Sequence, residues 1–258
     1  MPSFYAHDRF GTALLERMPG DIRRVCTRFP QLFRVGLQGP DFFFFYNPLF
    51  KTAIGALGHA CHQQSGTEFF AQASATASTE AAKAYLYGLL AHYCLDSLCH
   101  PYVQEQTADG KIGHVEMEAE FERFLLSLDG VSSPETFPRS KPIKLTRGEC
   151  VTVAAFYPPA KPQHIYQAII NTAWCIRMVC RPHGILRRMV SGVINMAGDN
   201  IRHQMVPSRA EPKFRRSNER LLELYGEALE RYPVLLAQLT AYLHDGAPLG
   251  AEFDPIFG

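Results

Sequence analysis

The sequence predicts an all-α protein built as a single multi-helix domain, and three observations carry that expectation. Apolar residues recur at helical spacing, as Leu14, Leu15 and Met18 do within Phe10–Met18. An alanine-rich, largely apolar run covers 81–99 behind a capping sequence, Ser78-Thr79-Glu80. Glycine and proline cluster at 36–41 and 130–163, where they punctuate the helical pattern.

The elements follow in order. Phe10–Met18 forms the first helix, with His7 just before it, and Gly36-Leu37-Gln38-Gly39-Pro40-Asp41 forms a loop. Leu49–Gln63 and Gly66–Ala77 read as two short helices. The long helix from Glu80 is expected to stop near His100, because Pro101 biases the residue before it away from helical geometry. Another helix runs from His114 to about Leu128, and 129–163 is an irregular, proline-rich connection with a short β element around Cys150–Phe156. Gln163–Cys180, Gly184–Met205 and Ser217–His244 complete the helices. The domain, 1–258, thus divides into a first half that holds the candidate chemistry (1–128), the connection (129–163), C-terminal helices (164–245) and an extended tail (246–258).

Composition narrows the class. A chain of 258 residues, 47% hydrophobic and 20% charged, can bury a sizeable core and is not of the disordered type. The net charge of +1 supplies no global attraction to nucleic acid or membrane. No apolar stretch approaches the ~20 residues that span a bilayer. Met1–Arg9 lacks a basic region followed by an apolar one, so no secretory signal is expected and a cytoplasmic location is. The seven cysteines, at 26, 61, 94, 99, 150, 175 and 180, include no C-x-x-C pair, which points to reduced thiols. Locally, 177–216 holds nine Lys or Arg against Asp199 and Glu211. That segment is either a solvated helix face, the favoured reading, or a peripheral surface for anionic membrane or nucleic acid.

Chemistry concentrates between Ala91 and Glu118. His92-x-x-x-Asp96-x-x-x-His100 places three ligand-type residues on one helical stripe, since residues four apart advance only about 40° around the axis. His114-x-x-x-Glu118 repeats the spacing on the next helix. Cys94 lies about 200° from His92 and belongs to the packing. Histidine with carboxylate and without cysteine is the donor set of catalytic zinc rather than structural zinc. The bland alternative, a polar surface face, suits poorly a helix that also carries Tyr85, Leu86, Leu89, Leu90, Tyr93 and Leu95. Upstream candidates are His7, Asp41, His59 and His62, whereas His164, His183, His203 and His244 are scattered.

The ordered set His7, Gly39-Pro40-Asp41, His62, His92-Tyr93-x-x-Asp96, His100 and His114-x-x-x-Glu118 resembles the zinc-dependent phospholipase C family, related in fold to the single-strand-specific zinc nucleases. The likeness covers roughly residues 1–125. It implies a helical domain with a multinuclear cleft in which Asp41, His62, His92 and Asp96 hold one zinc ion. His100, His114 and Glu118 would hold a second. His7 would serve a third, with Asp96 bridging to it. His62 is preferred to His59 because Gly58-x-x-x-His62 followed by Gly66 fits the family pattern better. Secreted members complete the third site with an N-terminal tryptophan, whereas the sole tryptophan here is Trp174, so the expectation is two zinc ions with a third as an addition.

The implied activity is phosphodiester hydrolysis, with a phospholipid head group as the expected substrate and Asp41 as the candidate for orienting or deprotonating the attacking water. Phe42-Phe43-Phe44-Phe45-Tyr46 is then either an apolar wall of the cleft or, as favoured, a buried anchor for the loop. Three alternatives stand beside this reading: a single-strand nuclease, an HD-type phosphohydrolase (weak, because only six residues precede His7-Asp8), and a helical metal-binding or interaction protein without turnover.

Overall fold

The structure, a computed structural model, describes residues 4–48, 50–138, 142–179 and 205–258. Those residues form α-helices and short 3-10 turns with no strand among them, the all-α class that the sequence predicts. Helix α1 spans Phe4–Arg17 and buries Phe4, Ala6, His7, Phe10 and Leu14 on one side. His7 therefore lies inside the first helix rather than before it, because the apolar stripe extends back to Phe4. Helices α2 (Gly20–Arg28) and α3 (Pro30–Leu37) follow, the latter opening on a proline whose missing N–H would have no helical partner there.

After a 3-10 turn at Asp41–Phe45 come α4 (Ala53–His62) and α5 (Gly66–Thr76). The central element is α6 (Glu80–Thr107), capped by the Thr79 hydroxyl, which accepts from Ala82 N at 3.1 Å. Residues 84–97 are buried without interruption, so this helix is packed on every side. Each of Leu86, Leu89, Leu90 and Leu95 contributes about 1.5–3 kcal/mol by that burial.

Helix α6 does not stop at His100. It runs through Pro101 for almost two further turns. The proline forfeits one backbone bond and costs roughly 3 kcal/mol. Continuing the helix buries Cys99, His100 and Val103, which offsets that cost and keeps His100 on the stripe.

Helices α3 and α6 touch backbone to backbone. A Cβ on Gly88 would meet the Phe33 carbonyl oxygen, and one on Gly36 would meet the Tyr85 carbonyl oxygen and lie 3.0 Å from Gly88 Cα. Gly88→Ala is therefore expected to destabilise the fold by about 1–3 kcal/mol. A urea unfolding midpoint unchanged from wild type would contradict this contact.

Helix α7 (His114–Leu128) lies where the sequence places it. The β element expected at Cys150–Phe156 is instead helix α8 (Arg147–Ala154). The Thr146 hydroxyl accepts from Glu149 N at 3.2 Å while Glu149 Oε2 accepts from Thr146 N at 2.7 Å. This reciprocal cap outweighs the strand preference of Val151-Thr152-Val153.

Helices α9 (Pro162–Val179) and α10 (Arg215–Asp245) follow. Along α6, α10 is held by Tyr232 OH donating to Tyr87 O at 3.1 Å and Cys94 Sγ to Ala228 O at 3.3 Å. Cys94 and Cys99 are packed in the core, and burial pushes the Cys94 thiol up to about 12.

The expected helix 184–205 save its last residue, with Cys180, His183, His203 and most of the basic segment, lies outside the described residues. In the described remainder of that segment, Lys213 pairs with Glu116 at 2.6 Å and Arg215 with Glu219 at 3.1 Å. The tail after Gly246 is not free. It makes a 3-10 turn at Ala251–Phe253 and packs onto α5 and α6, burying Phe253 and Phe257 completely. No helix among the described residues is long and apolar enough to cross a membrane.

Candidate metal centre

The α6 stripe is the spine of the centre. His92 Nε2 lies 3.3 Å from Asp96 Oδ2, and His100 Nε2 lies 3.7 Å from the same oxygen. Helix α1 brings His7 Nε2 to 3.2 Å from Asp96 Oδ1, with its ring stacked 4.5 Å from that of His92. Three imidazoles thus surround one carboxylate that is wholly buried.

Asp41 arrives from the loop after α3. Gly39 turns that loop with φ +55°, and a Cβ there would collide with the His92 ring, so both conformation and closeness require glycine. Asp41 Oδ1 then sits 3.1 Å from His62 Nε2 at the end of α4. His59 is exposed and packs on Phe44, so of the two α4 histidines only His62 faces the centre.

Phe42, Phe43 and Phe45 anchor the loop in the core, while Phe44 stacks on His62 at 5.6 Å. The aromatic run therefore serves as a buried anchor and backs one imidazole. From α7, His114 Nε2 approaches Glu118 Oε1 at 2.6 Å, and His100 Nε2 lies 3.9 Å from that oxygen.

These eight residues fall into three groups, the first two overlapping: His7, Asp41 and His92; His62, His92 and Asp96; and His100, His114 and Glu118. Within each group the ligand-type atoms lie within 4.8 Å of one another. The last group is the second-zinc set of the sequence reading. The first two share His92 and together join Asp41, His62 and Asp96, with His7 placed beside them. Among the described residues no cysteine belongs to any group.

The protonation states of His92 and His100 fit electron-pair donation. His62 Nδ1 is 2.7 Å from Gly58 O and His92 Nδ1 is 3.2 Å from Leu37 O. Each ring therefore donates from Nδ1 outward and turns its Nε2 inward. Burial pushes His92 down to about 3 and His100 down to about 4, which keeps both neutral at neutral pH. Burial would raise Asp41 and Asp96, but the surrounding imidazoles, His62 and His92 for Asp41 and His92, His100 and His7 for Asp96, help hold both below the usual carboxylate range. Burial would lower His62, yet the Asp41 carboxylate raises it.

The inward atoms also lack ordinary partners. Nε2 of His7, His62, His92 and His100 and both carboxylate oxygens of Glu118 are buried without a hydrogen bond, although carboxylate and imidazole stand close. Buried polar atoms are seldom left so. Imidazole nitrogens and carboxylate oxygens that converge in this way are the donors that divalent zinc takes, and the residues present fit it. Access to solvent lies on one side: the His114 side chain is 38% exposed against 3% for Glu118.

A helical scaffold that gathers histidine and carboxylate into a buried centre of this kind defines a helical metalloprotein. The family model described as zinc dependent phospholipase C matches residues 6–174, well over half of the chain and inclusive of all eight residues. The chain belongs to that family, whose metal is zinc and whose activity is hydrolysis of the phospholipase C kind. No curated protein and no solved structure matches the chain significantly.

Proposed function

We propose that this protein hydrolyses the phosphodiester bond of a phospholipid head group, using two zinc ions held by Asp41, His62, His92 and Asp96 and by His100, His114 and Glu118. His7 would supply a ligand to a third. The observation that carries the reading is the convergence of seven buried ligand residues and the half-exposed His114 within a chain of this family. Bound divalent ions in such a centre neutralise a phosphate and lower the pKa of a bound water.

The chain's own residues do the rest. Asp96, between three imidazoles, keeps both ends of the stripe at fixed separation and is the candidate bridging carboxylate. Asp41, ionised and fixed against His62, orients the attacking water. Its depressed pKa suits orientation and ligation better than storage of a proton. His114, the exposed member, stands where a head group would arrive.

The nuclease alternative has less support, because the aromatic run beside Asp41 is mostly spent in the core instead of offering a clamp for a base. The test is turnover of zinc-loaded protein on phosphatidylcholine vesicles and on single-stranded DNA. Release of the phosphorylated head group is expected. Cleavage of the DNA alone would overturn the proposal.

A further inference from the structure

The segment Glu252–Gly258 lies outside the stretch matched to the family, yet it runs along the metal centre. Resting on the zinc reading above, we propose that this segment buttresses the centre, and that Phe257 is a positioning residue for the imidazoles of His62 and His92.

Several bonds hold the segment in one register. Tyr93, next to His92 on α6, donates its hydroxyl to Glu252 O at 3.2 Å and Pro255 O at 3.1 Å. Arg231 on α10 donates to the same Glu252 carbonyl. Gly66 N donates to Pro255 O at 2.9 Å, Phe257 N to Gln64 O at 3.0 Å, and Gly258 N to His62 O at 3.3 Å. The backbone is thereby tied to His62 itself.

The Phe257 ring is fully buried and meets His62 nearly edge-on at 6.2 Å and His92 at 5.8 Å. Each of these imidazoles is bound through Nδ1 to one backbone carbonyl, which fixes the tautomer but leaves the tilt of the ring to its neighbours. Phe257 supplies a wall common to both. Gly258 follows because it must be small: a Cβ there would run into His100 Nδ1. One short segment thus leans on three of the imidazoles, from both proposed zinc sites. Hydrogen-bonded partners that orient metal ligands from behind typically matter to metal affinity by 10–100-fold, and the apolar shell around a site controls its access to solvent.

Phe253 gives an internal control. It is as buried as Phe257 and packs on Phe70 and Tyr93, with no ring contact to a ligand imidazole among those described. Zinc affinity is measured by competition with a chromogenic chelator, alongside the visible spectrum of the cobalt-substituted protein and the melting temperature of the metal-free form. Phe257→Ala is expected to weaken zinc binding by about tenfold or more and to alter the cobalt spectrum. Phe257→Leu, which retains most of the volume and guards against a folding failure, is expected to fall between wild type and alanine. Phe253→Ala should lower the melting temperature while leaving zinc affinity within about twofold of wild type, since it removes packing without touching a ligand.

Wild-type zinc affinity and cobalt spectrum in both Phe257 variants would overturn the proposal. So would an equal loss of affinity in Phe253→Ala, because that would reduce the effect to general stability. Failure of the wild-type protein to bind zinc at all would be a different result, overturning the metal centre and the buttress with it.

Discussion

Asp96→Ala is expected to disable both parts of the centre at once. The carboxylate stands 3.2 Å from His7, 3.3 Å from His92 and 3.7 Å from His100, so it borders every group of ligands except for the His114–Glu118 edge. Its removal leaves three buried imidazoles without the negative charge that holds them around a cation. Zinc content per chain should fall sharply. Metal-derived stabilisation of the transition state amounts to several kcal/mol, and each 1.36 kcal/mol is tenfold, so phosphatidylcholine hydrolysis should drop by about a thousandfold or more. Asp96→Asn keeps the shape and removes the charge, and it should behave in the same direction. Elemental analysis and kcat/KM check both variants. Unchanged zinc content would remove Asp96 from the ligand set.

Stripping zinc with a chelator should have the second-largest effect. Without a cation, the ionised carboxylates of Asp41 and Asp96 and the inward Nε2 atoms of four histidines face one another in a dry interior. A ligand present at 1,000 times its Kd stabilises the folded state by about 4 kcal/mol. For a chain of this size that corresponds to a drop of roughly 10 °C in Tm on removal. Helical circular dichroism should persist below the new transition, because the α6 core is apolar and does not depend on the metal. Re-added zinc should restore the original Tm. An unchanged melting curve after complete demetallation would show that the cluster is held together by the fold alone.

Much of the centre was legible because helical spacing does the geometric work. His92, Asp96 and His100 repeat every four residues, so recognising the helix suffices to align them, and His114 with Glu118 follows the same rule. The preference for His62 over His59 rests on the family pattern of Gly58-x-x-x-His62 followed by Gly66, and Gly58 O is the group that fixes the His62 tautomer.

What was not legible depended on tertiary balance. Pro101 signals a helix end, and only the burial of His100 and its neighbours overrules it. Val151-Thr152-Val153 reads as a strand until the Thr146–Glu149 cap is given its weight, and that Thr-x-x-Glu pattern was present in the sequence. The role of Phe257 had no local signal, since an aromatic near the end of a chain says nothing about which rings it will meet.

The glycine pair between α3 and α6 has a consequence for how this molecule tolerates change. Gly36 sits three residues before Gly39 and five before Asp41, while Gly88 sits one helical turn before His92. The separation of Asp41 from the histidine stripe is therefore gauged by two main chains in direct contact, with no side chain between them to absorb an error. A methyl group inserted at that seam would act as a shim, transmitting its thickness along α3 to the loop and widening the gap that a cation must span. Stability and metal affinity are thus two readings of one mechanical dimension, and substitutions at Gly36 or Gly88 should shift them together.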